Sequence, residues 1–358
     1  MRKRPIGEVQ EPTLPDVDEP SSRAETPGRS LLGRVASLGW RLAARLGMLA
    51  ALIVLLVVFS LARPRQFPTE FNFRTMLGDS STLIILAVGL TFVVITAGLD
   101  LSIGSVLVFA SIVSAKAMAA MGGASAGWGV ILLGLIIAAA AGTAWGILNG
   151  TLVAYARIPP LIVTLGTLGA ALGLGQVISN GLDVQVVPTA LTSSIGTGTA
   201  FGAIPWIFIL SISIALCLGL LLAYTQFGRH TYAIGSNPEA ARRVGIRVSR
   251  HLVIVYAMQG ALAGVAGWTS LARFAGTTIS GHGTDNLDAV AAVAIGGTSL
   301  FGGTGAIGGS VVGVFIPAVL QNGFLITGVQ AFWQEVAVGA ILIVAVAADQ
   351  WRRRVRGG

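Results

Sequence analysis

Uninterrupted apolar runs, long enough to cross a lipid bilayer, recur from residue 46 almost to the end of the chain. A helix needs about 20 apolar residues to span the hydrocarbon core. Inside that core every backbone N–H and C=O must be satisfied within the protein, so only helices and closed barrels cross it. The continuous apolar runs are read as α-helical spans. Spans are expected near 46–62, 80–98, 103–121, 128–149, 160–178, 205–224, 252–271, 287–300, 306–326 and 331–348, the eighth short and broken by glycine. The charged fraction is 11%, where a soluble domain carries about 25%, and mean hydropathy is +0.81. Forty-eight glycines beside seven Trp and four Tyr predict helices packed closely through small residues. The expected class is an all-α polytopic membrane protein of ten transmembrane helices, with glycine-broken re-entrant segments.

The basic residues orient this layout. With ten spans and both termini in the cytoplasm, 18 of the 23 Lys and Arg fall inside; Arg63, Arg65, Arg74, Lys116 and Arg273 fall outside. The loop 179–204 holds neither Lys nor Arg, as an external loop should. The net charge of +8 therefore reports topology rather than a nucleic-acid partner. Residues 1–30 are polar, proline-rich and of mixed charge, the composition of a disordered cytoplasmic tail. In 31–46, Leu31, Val35, Leu38, Leu42 and Leu46 recur at helical spacing beside a basic face of Arg34, Arg41 and Arg45. Two readings fit: an amphipathic helix lying on membrane lipid, or a basic flank to the first span. A single membrane domain is expected over 46–349, with a cytoplasmic loop at 225–250 and a basic cytoplasmic C-terminus at 350–358. The long polar stretch before the first apolar run does not fit a secretory signal. Cys217 lies in an apolar run and is expected to be a buried, inert thiol.

A shift of 173 residues lays Gly129, Asn149, Gly150, Leu152, Val163 and Gly166 on Gly302, Asn322, Gly323, Leu325, Val336 and Gly339. The matched segments run in opposite directions across the membrane, as in an inverted repeat around a central pathway. Chance agreement in a Gly- and Leu-rich sequence is the competing explanation.

Three segments carry chemistry. In 98–105, Gly-Leu-Asp-Leu-Ser-Ile-Gly-Ser, a carboxylate sits beside membrane-depth glycines, which is costly unless it faces protein or water. Asp100, with Ser102 and Gly104, is read as holding a broken helix by accepting backbone N–H groups; the other reading makes it a direct ligand of the solute. In 295–309 so many glycines suggest a phosphate cradle, but a Walker A motif requires Gly-Lys-Ser/Thr. The only lysines are Lys3 and Lys116, so this chain is no P-loop ATPase, and a bent segment at Gly296, Gly297, Thr298 and Ser299 is expected instead. With Asn149 and Asn322 these residues are candidates for broken helices along a translocation path. The third segment, 227–249, contains a complete short-helix signature: Asn237 as N-cap, Pro238 at the first position, Glu239 and Ala240 in the first turn, Arg242 and Arg243 in the last, and Gly245 just beyond. A rigid capped helix on a polar loop is suited to docking a partner.

These stretches, together with 157–167 (Arg-Ile-Pro-Pro-Leu-Ile-Val-Thr-Leu-Gly-Thr) and 287–300 (Leu-Asp-Ala-Val-Ala-Ala-Val-Ala-Ile-Gly-Gly-Thr-Ser-Leu), resemble the ribose/xylose/arabinose/galactoside permease family of ABC importers, over about residues 75–349. The resemblance implies a homodimer of ten-span subunits in a bacterial cytoplasmic (inner) membrane, importing a monosaccharide. It implies two cytoplasmic ABC ATPase subunits that bind ATP and Mg, an extracytoplasmic sugar-binding protein, and no cofactor or catalysis in this chain. It also implies that Gly235, Asn237, Pro238, Glu239, Ala240 and Gly245 belong to the loop that sits in a cleft of the ATPase. Many relatives carry a basic residue where Thr304 stands, and the long N-terminal tail has no counterpart in the shortest ones.

An ion-coupled secondary transporter is the alternative; Asp100, Asp288 and Glu335 are few acids for proton coupling. His230, His251 and His282 fall on separate segments, so neither a metal cluster nor a membrane-embedded enzyme is expected.

Overall fold

The computed structural model describes residues 31–357, and the proposed disordered tail 1–30 lies outside the described residues. The chain divides into two units, Met1–Leu42 and Ala43–Gly358. In chain order the elements are α1 (Leu31–Ala62), α2 (Glu70–Ile95), α3 (Ile103–Ala120), α4 (Trp128–Ala154), α5 (Pro160–Ser179) and a single turn α6 (Thr189–Leu191). A two-stranded antiparallel hairpin follows, β1 (Thr199–Ala200) and β2 (Ile204–Pro205), and then α7 (Trp206–Tyr224), α8 (Gln226–Ser236), α9 (Pro238–Arg243), α10 (Val248–Phe274), α11 (Asp285–Ile295), α12 (Ile307–Thr327) and α13 (Ala331–Gly357).

Each expected span overlaps one of these helices, but 80–98 and 287–300 run past the helical ends at Ile95 and Ile295. Among the described residues seven helices are long and apolar enough to cross a membrane: α2, α3, α4, α5, α7, α10 and α12. Gly47–Ala62 and Phe332–Ala347 are shorter apolar stretches, and α11 has only 11 residues. The chain is thus a multi-pass, all-α membrane protein. α1 is one unbroken helix, so 31–46 continues directly into the first apolar stretch; its side chains up to Leu46 lie outside the described residues.

The helices sort into a centre and a periphery. The most apolar part of α2 is 89% buried inside the protein, against 22–28% for α4, α5 and α7. From Ile84 to Val88 and from Phe92 to Ile95 no side chain of α2 is exposed, the mark of a helix apolar on every face and enclosed by others. α10, α12, α7 and α11 supply that enclosure. Outward, Leu132, Ile136, Leu161, Ile162, Leu165 and Leu216 are exposed and form a surface suited to lipid. Cys217 belongs to this surface: it is exposed, not buried, because only one face of α7 packs on the protein.

α4 and α10 approach closest. A Cβ at Gly142 would collide with the Gly260 carbonyl, one at Gly146 with the Tyr256 carbonyl, and one at Gly264 with the Ala138 carbonyl. Without a hydrophobic drive between helices in lipid, such backbone proximity is the source of their attraction.

Candidate functional site

The first break in the bundle lies between α2 and α3. α2 ends because Ala97 adopts a left-handed conformation, φ 61°, and the helix resumes only at Ile103. Asp100 holds the intervening turn. Ser102 donates to Asp100 Oδ1 from its backbone N–H at 2.9 Å and from its hydroxyl at 2.6 Å. Asn149 Nδ2 on α4 donates to Ser102 Oγ at 3.0 Å, and the Tyr256 hydroxyl on α10 donates to the Leu99 carbonyl at 3.4 Å. The Gly104 N–H donates to Asn286 Oδ1 at 2.7 Å, tying α3 to α11. Asp100 is 2% exposed, and a carboxylate so placed is tolerable only when its donors are supplied. Asp100, Ser102 and Asn149 therefore do come together, as a network that closes a broken helix, with the carboxylate turned toward protein donors.

The second break follows α11. Gly296 lies against the backbone of Gly309 and Ser310 with no room for a Cβ, and Gly297, Gly302 and Gly303 have φ of 84°, 84° and 76°. Ser299 Oγ donates to Asp349 Oδ2 on α13 at 2.8 Å. Thr298 is 2% exposed and its hydroxyl has no hydrogen-bond partner among the described residues. Asn322 sits elsewhere: it exchanges amide hydrogen bonds with Asn72, at 2.9 and 2.8 Å, and so joins α12 to α2. The repeat-matched asparagines, Asn149 and Asn322, have different partners.

The third feature is the polar loop between α7 and α10. Asn237 Oδ1 accepts from the N–H groups of Glu239 (3.0 Å) and Ala240 (2.9 Å), capping α9. At the other end Gly245, φ 86°, lets its N–H reach the Arg242 carbonyl and that of Ile246 reach Ala241, the paired bonds of a Schellman closure. Glu239 pairs with Arg242 at 3.5 Å and Arg243 at 3.7 Å; all three are exposed, so the pairs add little stability and leave the charges free for a partner. Ala241 is buried beside Ile234 and Val248 and fixes α9 to the protein.

α8 links this loop to both breaks. Gly235 rests on the Ile95 carbonyl, which also accepts from the Gly303 N–H at 2.9 Å. The Tyr232 hydroxyl donates to the Gly305 carbonyl at 2.8 Å, and burial raises its pKa above that of an ordinary phenol, so it stays a donor. Thr231 Oγ1 and His251 Nε2, 2.9 Å apart, join α8 to the start of α10.

Several of these residues carried no signal in the sequence. Tyr232, Asn286 and Asn72 act through partners 73, 182 and 250 residues away, which periodicity cannot reveal. Asp288 is buried and accepts from Gln321 Nε2 at 3.0 Å. Ser270 Oγ, His282 and Asp285 stand in the order of a hydrolytic triad, at 2.8 and 2.7 Å. Ser270 is 1% exposed, however, and no acyl group reaches it; the chain of bonds ties α10 to α11. Among the described residues no group of three His, Cys, Asp or Glu is gathered as metal ligands.

Residues 72–346 match a family described as the permease component of the branched-chain amino acid transport system. The chain is 32% identical to the fructose import permease protein of Rhizobium meliloti over 313 residues, 86% of this chain and 85% of the relative. It is 34% identical to the D-allose transport system permease protein of Escherichia coli over 305 residues, 85% and 91% of the two chains. It is 34% identical to the ribose import permease protein of the same organism over 307 residues, 84% and 92%. No solved structure matches.

Proposed function

We propose, for a chain that belongs to the permease family of ABC importers, the role of the transmembrane subunit for a monosaccharide of the pentose or hexose class. The matched family is described by amino acid transport, but the full-length relatives at 32–34% identity carry fructose, allose and ribose in their names, which supports a sugar. The loop carrying α9 is the observation that bears most weight: a six-residue helix, capped at both ends, presenting Glu239, Arg242 and Arg243 to solvent. Such a helix is rigid enough to receive a push, and Asn237, Pro238, Glu239, Ala240, Arg242 and Gly245 form the surface that docks a cytoplasmic ATPase; Gly235 of the same loop is buried against the Ile95 carbonyl and serves the coupling from inside the protein.

In this reading the membrane domain, 46–349, makes ten crossings of the bacterial inner membrane, with both termini and loop 225–250 in the cytoplasm. The short α11 is the eighth of these crossings, the glycine-rich turn after it is a re-entrant segment, and the two halves form an inverted repeat. Two copies assemble as a homodimer. ATP and Mg are bound by separate ABC ATPase subunits, and an extracytoplasmic sugar-binding protein delivers the solute. The breaks at 96–102 and 296–306 line or gate the path, and α9 relays ATPase closure to them.

Vesicles carrying the assembled transporter test this reading. Glu239→Arg is expected to abolish sugar-stimulated ATPase while membrane insertion stays intact. Uptake that survives ATP depletion and collapses with an uncoupler would instead identify an ion-coupled carrier.

A further inference from the structure

Three backbone segments meet at one carbonyl. Ile95 O, at the last turn of α2, accepts from Gly303 N–H at 2.9 Å and is covered by Gly235 of α8, where a Cβ would collide with it. Gly302 is packed on Ala97 and the Gly235 carbonyl, and Gly303 on Ser236. Both turn glycines have positive φ, 84° and 76°, so neither a Cβ nor an ordinary backbone conformation is available there. One turn of helix earlier, Tyr232 reaches the Gly305 carbonyl at 2.8 Å, a second point of attachment on the same loop. Backbone contact without intervening side chains leaves no rotamer to absorb a displacement, because close-packed interiors transmit strain. α8 is also continuous with α9, separated from it only by Asn237, which serves as C-cap of one and N-cap of the other.

We propose that α8 is the rod through which α9 moves both helix breaks at once, with Gly235 bearing on the Ile95 carbonyl and Tyr232 holding the 296–306 loop through Gly305. Tyr232 is thereby a positioning residue for transport: it acts through the Gly305 carbonyl and sets where the second break stands. Because the Ile95 carbonyl receives both Gly235 and Gly303, the two breaks share one register and shift together. The start of α10 is tied to the same rod by Thr231 and His251, so the rod pivots on α10 instead of sliding past it. This inference rests on the permease reading, and it specifies how a push on α9 reaches the path.

The test uses the full transporter, this chain with its ATPase and sugar-binding protein, in vesicles with a panel of radiolabelled monosaccharides. Tyr232→Phe keeps the ring and removes the one hydrogen bond. Losing a bond of ordinary strength is expected to lower the sugar moved per ATP hydrolysed about fivefold, with ATPase co-purification and basal hydrolysis unchanged and the thermal midpoint lowered by no more than about 2–4 °C. Gly235→Ala, which lifts the rod off Ile95, is expected to uncouple more severely. A Tyr232→Phe transporter with the parental ratio of sugar to ATP overturns the rod. So does one that loses basal hydrolysis together with transport, since that marks a docking or folding role. A parental transporter with no ATP-driven uptake of any monosaccharide overturns the permease reading itself.

Discussion

Replacing Asp100 separates a carboxylate used as an acceptor from one used as a charge. Asp100 Oδ1 takes two hydrogen bonds from Ser102, both buried. Asp100→Ala strands both donors, at about 1–3 kcal/mol each, so a loss of about 2–6 kcal/mol is expected, a large part of the 5–15 kcal/mol typical of folded proteins. Asp100→Asn retains an amide oxygen in the same place. Its bonds are neutral rather than charge-assisted and about half as strong, which limits the loss to about 1–2 kcal/mol. Thermal unfolding of the purified chain in detergent, alongside uptake in vesicles, reads both quantities. The alanine variant should unfold many degrees lower, and the asparagine variant should unfold slightly lower and still transport. The reasoning is refuted if Asp100→Asn unfolds like the parent but fails to transport, for then the charge itself meets the solute or an ion. It is refuted equally if Asp100→Ala is as stable as Asp100→Asn.

Further outcomes follow from other contacts. Asn237→Ala removes the acceptor for two N–H groups of α9 and should cost about 1 kcal/mol locally; sugar-stimulated ATPase should fall, and Asn237→Asp should restore it. Gly260→Ala would place a methyl against the Gly142 carbonyl; overpacking of about 1–3 kcal/mol should outweigh the gain of about 1 kcal/mol in helix propensity and lower the unfolding temperature. Gly166→Ala, with nothing within 4 Å of its Cβ position, should do the reverse in the same measurement. Asn72→Ala should destabilise the fold by about 1–3 kcal/mol, because the Asn322 amide loses its reciprocal partner; combining it with Asn322→Ala should cost less than the two singly.

What the sequence disclosed follows from the range of each interaction. The helices were legible because continuous apolar runs leave the backbone no other way to be satisfied in lipid. α9 was legible to the residue, since Asn237, Pro238 and Gly245 act on backbone groups within a few positions. The Asp100 turn was half legible: its bond to Ser102 is local, but the donors from Asn149 and the Asn286 tie are 47 and 182 residues apart in sequence and needed the fold. Cys217 shows the opposite failure. In a helix as apolar as α7 every face looks alike, and no pattern tells protein from lipid. Tyr232 was hidden because its role lies in one hydroxyl meeting a backbone carbonyl of a glycine loop.

The interlocked carbonyls of α4 and α10 have a consequence for how far a small movement carries. Glycines interleave along this seam at Gly142, Gly146, Gly260 and Gly264, so neither helix slides on the other and the two behave as a single beam. α10 begins at Val248, five residues after α9 ends, and has 27 residues, a length of about 40 Å at 1.5 Å per residue. Tilting a beam of that length by about 10° at the α9 end carries the opposite end through about 7 Å. That distance is comparable to the width of a sugar ring, so in the proposed role an ATPase docked at α9 need turn its end of the lever only slightly for the far end to clear a passage.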